Sequence, residues 1–149
     1  MDVTGEVRIP ASRQQVWEAL NDPDTLRGSI PGCQSLDKLS DTEFSAKVLS
    51  KIGPVKAKFA TKITLSNLKP PESYTLSGQG QGGVAGFAKG SADVTLVEEN
   101  SETVLRYSAR IQVGGKLAQV GSRLLKGSVS KLAEQFFGNF AAKLGVDDA

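Results

Sequence analysis

The sequence predicts an α+β fold of order β-α-α-β-β-β-β-β-β-α, a curved antiparallel sheet of about seven strands packed on a long C-terminal helix. Three observations carry that expectation. Apolar and polar residues alternate near the N-terminus and again through six segments between Leu36 and Val113. The breaks between those six segments are short turns, with no room for the crossover helices that parallel strands require. Apolar residues then recur at helical spacing from Lys116 to Leu144. At 149 residues and 39% hydrophobic, the chain is sized for one domain, 1–149, without linker or repeat.

Val3, Gly5, Val7 and Ile9 alternate with Thr4, Glu6 and Arg8 as a half-buried strand that Pro10 ends. Ser12 is placed to cap a helix, with Gln15 at capping-box spacing and Val16, Trp17 and Leu20 as its apolar face. Asn21-Asp22-Pro23-Asp24 breaks that helix and starts a second, which Pro31-Gly32 closes. Leu36 and Leu39 mark the next strand. Phe44, Ala46, Val48, Ser50 and Ile52 then share one face, and after the Gly53-Pro54 turn so do Val55, Ala57, Phe59, Thr61, Ile63 and Leu65. Tyr74, Leu76, Gly78 and Gly80 follow, then Ala88, Gly90, Ala92, Val94 and Leu96, then Leu105, Tyr107, Ala109, Ile111 and Val113. The closing helix, expected over 116–144, would span roughly 43 Å. Leu117, Val120, Leu124, Val129, Leu132, Phe136, Phe140 and Leu144 form its stripe. Gly121, Gly127 and Gly138 inside it each cost about 1 kcal/mol against alanine, which points to close approach or room for a ligand.

Composition excludes much chemistry. There is no histidine, so the commonest general base and metal ligand are missing, and with one cysteine neither a Ser/His/Asp triad nor a zinc site can form. Cys33 has no histidine to activate it and reads as a small residue at a strand start. The carboxylates fall on outward strand positions, turns and helix surfaces, so no acid–base pair stands out. A net charge of +2 does not argue for nucleic acid. No apolar run reaches membrane-spanning length and the N-terminus lacks signal-peptide character, so a cytoplasmic location is expected. Gly78-Gln79-Gly80-Gln81-Gly82-Gly83 matches G-x-G-x-x-G, but a strand pattern follows it rather than the helix that dinucleotide binding needs.

The inward faces carry many small residues, which points to an apolar pocket, with a solid core filled by helix aromatics as the alternative. The expected walls are Phe44, Ala46, Val48, Ala57, Phe59, Tyr74, Leu76, Gly78, Ala92, Tyr107, Ala109 and Ile111 from the sheet. Leu117, Gly121, Leu124 and Phe136 are expected from the helix. Ser50, Thr61 and the hydroxyls of Tyr74 and Tyr107 are the inward polar candidates. Gly83, Val84, Gly86 and Phe87 read as a flexible hairpin tip exposing Val84 and Phe87, a candidate lid. Lys47, Lys51, Lys56, Lys58 and Lys62 share the outer face of one strand pair, either simply solvated or attracted to anionic lipid headgroups.

Several segments resemble the CoxG family, named for carbon monoxide dehydrogenase. They are Val16-Trp17-Glu18-Ala19-Leu20-Asn21-Asp22-Pro23, Ile30-Pro31-Gly32-Cys33, Lys51-Ile52-Gly53-Pro54-Val55-Lys56-Ala57, Ala85-Gly86-Phe87-Ala88-Lys89-Gly90 and the run from Val113 to Arg123. The resemblance implies a helix-grip fold, shared by START lipid-transfer domains, Bet v 1 allergens and polyketide cyclases. It also implies a molybdenum hydroxylase of the carbon monoxide dehydrogenase type as partner. Relatives often continue into an apolar tail; here the sequence ends at Gly145-Val146-Asp147-Asp148-Ala149, so any peripheral membrane contact is expected from the lysine face or the Gly82–Gly90 loop. The combined expectation is a non-enzymatic accessory protein holding an apolar ligand such as a quinone or fatty acid, with no metal and no covalent cofactor. The alternatives are a docking factor with a filled core, and a cyclase-like enzyme using Tyr74 or Tyr107.

Overall fold

Seven strands, three helices and two 3-10 turns make up the computed structural model, which describes residues 1–145. The strands are β1 (Asp2–Ile9), β2 (Cys33–Lys38), β3 (Glu43–Ile52), β4 (Val55–Lys69), β5 (Ser73–Gln81), β6 (Phe87–Glu99) and β7 (Glu102–Gly114). The helices are α1 (Arg13–Leu20), α2 (Pro23–Ser29) and α3 (Ser122–Gly145). All strand pairs are antiparallel, in the order β1-β7-β6-β5-β4-β3-β2. The long connection from β1 to β2 carries α1 and α2 across the molecule, which puts sequence-distant β1 beside β7.

Local chemistry explains the helical section. Ser12 accepts from the Gln15 backbone while the Gln15 side chain accepts from the Ser12 backbone, the reciprocal capping expected of this spacing. Asp22 caps α2 with Pro23 in its first turn. The end of α3 is tied to α2 where Asn139 Nδ2 donates to the Ser29 carbonyl at 3.2 Å. Thr103, wholly buried, donates its hydroxyl to the Ala11 carbonyl at 2.8 Å and so anchors the start of the helical section to β7.

Two expectations fail here. Leu39 lies beyond β2 and is exposed, because the strand stops at Lys38 before the turn. The closing helix is not continuous from Lys116: a 3-10 turn over Gly115–Val120 comes first, and Gly121, at φ +95°, separates it from α3. That left-handed conformation suits glycine alone and resets the helical phase. Leu125 is consequently buried and Leu124, at 52% exposure, is not. Gly121, Gly127 and Gly138 are all exposed, and a Cβ at each would meet nothing within 4 Å, so close approach to a neighbour is not their role. The polar end at Val146–Ala149 lies outside the described residues.

The apolar interior divides into two clusters. The larger joins Ile9, Val16, Leu20, Phe44, Leu96, Leu105 and Phe140 beneath α1, α2 and the end of α3. The smaller joins Ile52, Phe59, Leu117 and Leu125 at the other end of the sheet. Between them the strands place small residues in register: Gly78 opposite Gly90, and Ala92 opposite both Leu76 and Ala109.

Candidate ligand cavity

That band of small residues leaves unfilled space. An inner cavity of about 260 Å³ lies between the sheet and the helices, walled by Phe44, Tyr74, Leu76, Tyr107 and Ile111 of the sheet, Leu26 of α2, Ile30 just after it, and Val129, Ala133, Phe136 and Phe137 of α3. An outer cavity of about 350 Å³, more open to solvent, follows along the same face under Val48, Ser50, Ile52, Phe59, Thr61, Gly78 and Ala88. Leu76, Ala92, Ala109 and Ile111 wall both, which makes them two lobes of one apolar space. Each is near the lower end of the size range of small-molecule sites, and the surfaces are predominantly apolar.

Polar groups on this space are few. Ser50 and Thr61 line the outer lobe, and Lys89 and Gln79 stand at its edge. Tyr74 lines the inner lobe at 6% exposure, its ring edge-on to Trp17 of α1 with centroids 5.5 Å apart. Burial alone pushes its phenol well above the ordinary tyrosine value; neither a charge nor a hydrogen bond contributes. Tyr107 differs. Its ring stacks on Phe137 at 5.1 Å and lies over Gly5 of β1, where a Cβ would collide with it. Desolvation first, and then the Glu134 carboxylate, raise its phenol above the usual range.

Of the sheet positions expected as walls, Phe44, Val48, Phe59, Tyr74, Leu76, Gly78, Ala92, Tyr107, Ala109 and Ile111 line one lobe or both. Ala46 and Ala57 face inward but pack within the clusters instead. From the C-terminal segment Phe136 lines the inner lobe, whereas Leu117 is wholly buried in the smaller cluster. Leu124 and Gly121 face solvent because of the break at Gly121. Leu26, Ile30, Ala133 and Phe137 join the walls without having been expected there. Ala133 and Phe137 continue the Val129 stripe at helical spacing and carry a usable signal; nothing local marks Leu26 or Ile30 as facing a cavity.

The Gly83–Ala85 segment is a 3-10 turn bridged by a bond from the Gly82 amide to the Gly86 carbonyl. Val84 at its tip is 86% exposed, as expected, but Phe87 is half-buried because its ring covers Gly114. Lys47, Lys51, Lys56, Lys58 and Lys62 are all exposed on the outer face of β3 and β4, where Lys51 is directly opposite Lys56 and Lys62 pairs with Glu43 at 3.4 Å. Burial raises the Cys33 thiol, away from the reactive thiolate. Among the described residues no group of three or more acidic, cysteine or histidine side chains is placed to hold a metal, and no helix is long and apolar enough to cross a membrane.

Residues 5–145 match the carbon monoxide dehydrogenase CoxG family. The chain belongs to that family. Membership associates this CoxG homologue with the carbon monoxide dehydrogenase system. No curated protein matches the sequence. Among solved structures, a conserved protein from Geobacillus kaustophilus is 30% identical, with 97% of this chain and 95% of that one covered at a TM-score of 0.91. A START superfamily protein from Mycobacterium smegmatis is 13% identical, with 95% of each chain covered at a TM-score of 0.72. Ara h 8.0201 is 12% identical, with 96% of each covered at 0.72. These likenesses establish the helix-grip fold of START and Bet v 1-like proteins for this CoxG homologue.

Proposed function

We propose that this protein is a non-catalytic accessory of a carbon monoxide dehydrogenase-type molybdenum hydroxylase, and that it carries one apolar, lipid-like molecule in the two-lobed cavity. The observation that carries the reading is the unfilled space itself. Natural cores are close-packed, and a void loses the dispersion contacts of its lining, so a continuous apolar space of this size is costly unless something occupies it. A quinone is the specific cargo proposed. A hydroxylase that oxidises its substrate with water releases two electrons, which a quinone takes up with two protons to become a quinol. An apolar sleeve would let that molecule leave the membrane without exposing its tail to water.

Charge supports a membrane as the place of exchange. The turns at Gly53–Pro54, Gly82–Gly86 and Gly114–Val120 cluster at the end of the sheet that carries the outer lobe. The stretches bearing them, Glu43 to Glu72, Glu72 to Asp93 and Glu102 to Glu134, contain no acidic residue between their endpoints. Lys51, Lys56, Lys116 and Arg123 stand exposed there beside the apolar tips Val84 and Leu124. Each cation near an anionic leaflet contributes about 1 kcal/mol, and the apolar tips would enter the interface.

The test is transfer. Vesicles containing a long-chain quinone are mixed with the protein and removed by sedimentation, and the supernatant is assayed for quinone. Up to one quinone per chain is expected in solution. A quinone-free supernatant, in a preparation that nevertheless co-purifies with a molybdenum enzyme, would instead support a docking factor.

A further inference from the structure

Resting on the cavity reading above, we infer that the cargo enters head first and that its head is a neutral hydrogen-bond acceptor, a ketone- or quinone-type carbonyl, held by the Tyr74 hydroxyl at the inner end. The decisive group is a phenol that the fold has buried without satisfying. Tyr74 is 6% exposed, and no hydrogen bond contributes to its proton affinity. Among the described residues, the only side-chain nitrogen or oxygen both sealed by packing and unpartnered is Arg13 Nε. The Tyr74 oxygen therefore opens onto free space, and the free space that Tyr74 lines is the inner lobe. A buried hydroxyl without a partner loses its water bonds for nothing, a cost a ligand acceptor removes.

The character of that acceptor follows from the walls. Apart from the two tyrosines, the inner lobe is lined by apolar side chains. The charged groups nearest its walls are Lys38, 5.7 Å from the Phe44 ring centroid with its ammonium bonded to the Asn21 carbonyl, and Glu134, whose charge acts on Tyr107. Neither offers a counter-ion inside, so a carboxylate at this depth would be stripped of water and unpaired. Tyr74 itself keeps its proton and can only donate or share it, which suits a neutral carbonyl oxygen. The tail then lies along the outer lobe. A fatty acid could seat only in reverse, with its carboxylate at Lys89 on the rim.

The test uses the purified full chain with a neutral apolar dye, N-phenyl-1-naphthylamine, displaced by 2-undecanone or by undecanoate at pH 8. The ketone is expected to displace the dye more strongly than the acid. Tyr74→Phe, which removes only the unpartnered hydroxyl, is expected to leave dye affinity and melting midpoint unchanged and to weaken the ketone roughly threefold to tenfold. The infrared carbonyl band of the bound ketone should lie at lower frequency in the wild type and rise in Tyr74→Phe, a signature that a packing role would not produce. Unchanged ketone affinity and carbonyl band in Tyr74→Phe, with the dye still bound, would overturn the head assignment alone. So would tighter binding of undecanoate that is lost in Lys89→Gln. Failure of the dye and both competitors to bind would overturn the cavity reading beneath it.

Discussion

Valine in place of Gly78 separates a real cavity from a closely packed core by the sign of a stability change. Gly78 lies mid-strand in β5 on the inward face, opposite Ile63 and Gly90, and a Cβ built there meets no heavy atom within 4 Å. Gly78→Val adds three carbons to the space between the lobes. Each methyl-sized group so buried contributes about 0.8 kcal/mol, roughly 2.4 kcal/mol for three, and replacing a strand-interior glycine adds about 0.5 kcal/mol or more. Some is lost to imperfect fit, so a net gain of about 1–3 kcal/mol is expected. Urea unfolding of protein stripped of apolar ligand measures it, and the melting midpoint should rise by about 2–4 °C per kcal/mol. The same variant should lose dye and quinone binding. Gly90→Ala is the contrast in the neighbouring strand: its Cβ would sit 2.5 Å from the Arg110 carbonyl oxygen, so it should destabilise. If Gly78→Val instead lost about 1–3 kcal/mol, the cost of overpacking a filled core, the cavity argument would be refuted.

Three further outcomes are expected. Both phenols have folded values above the unfolded value of about 10, so their contribution to stability is intact below that pH and is lost as the pH rises above it; a smaller alkaline loss in urea titrations of Tyr74→Phe checks this, and an identical loss contradicts it. Thr103→Val leaves the Ala11 carbonyl buried without its donor and should cost about 1–3 kcal/mol in urea unfolding, with a near-zero cost counting against that role. Lys51→Glu with Lys56→Glu should abolish sedimentation with vesicles containing anionic lipid while leaving dye binding in the cavity intact, and unchanged sedimentation would exclude this end as the membrane contact.

Much of the architecture is legible in the sequence because it rests on local chemistry. The alternation in β3 through β7 fixes which residues face inward, and Ser12 with Gln15 marks the start of α1 by a bond pattern that needs only four residues. The cavity's sheet walls follow directly from that alternation. What the sequence hides is the phase of the C-terminal segment. Leu124 and Leu125 are adjacent leucines, and which one is buried depends on the conformation of Gly121, a choice made by long-range packing. Phe87 is expected to be exposed from its place at the hairpin tip, yet its ring finds Gly114 across the sheet. Leu26 and Ile30 reach the inner lobe only because α2 packs against α3, a contact between segments about 110 residues apart. The unsatisfied Tyr74 hydroxyl is likewise invisible: the sequence shows an inward tyrosine, and only the surroundings show that nothing answers it.

The most direct test of the carrier reading is to purify the full chain from a quinone-producing host, extract it with organic solvent and analyse the extract by mass spectrometry beside an equal amount of Gly78→Val. The wild type should yield a neutral, carbonyl-bearing apolar molecule approaching one per chain, and the variant far less. Extracts that are repeatedly empty, or equal in the two proteins, together with a failure to load any apolar molecule in vitro, would contradict the claim that this CoxG homologue is a carrier.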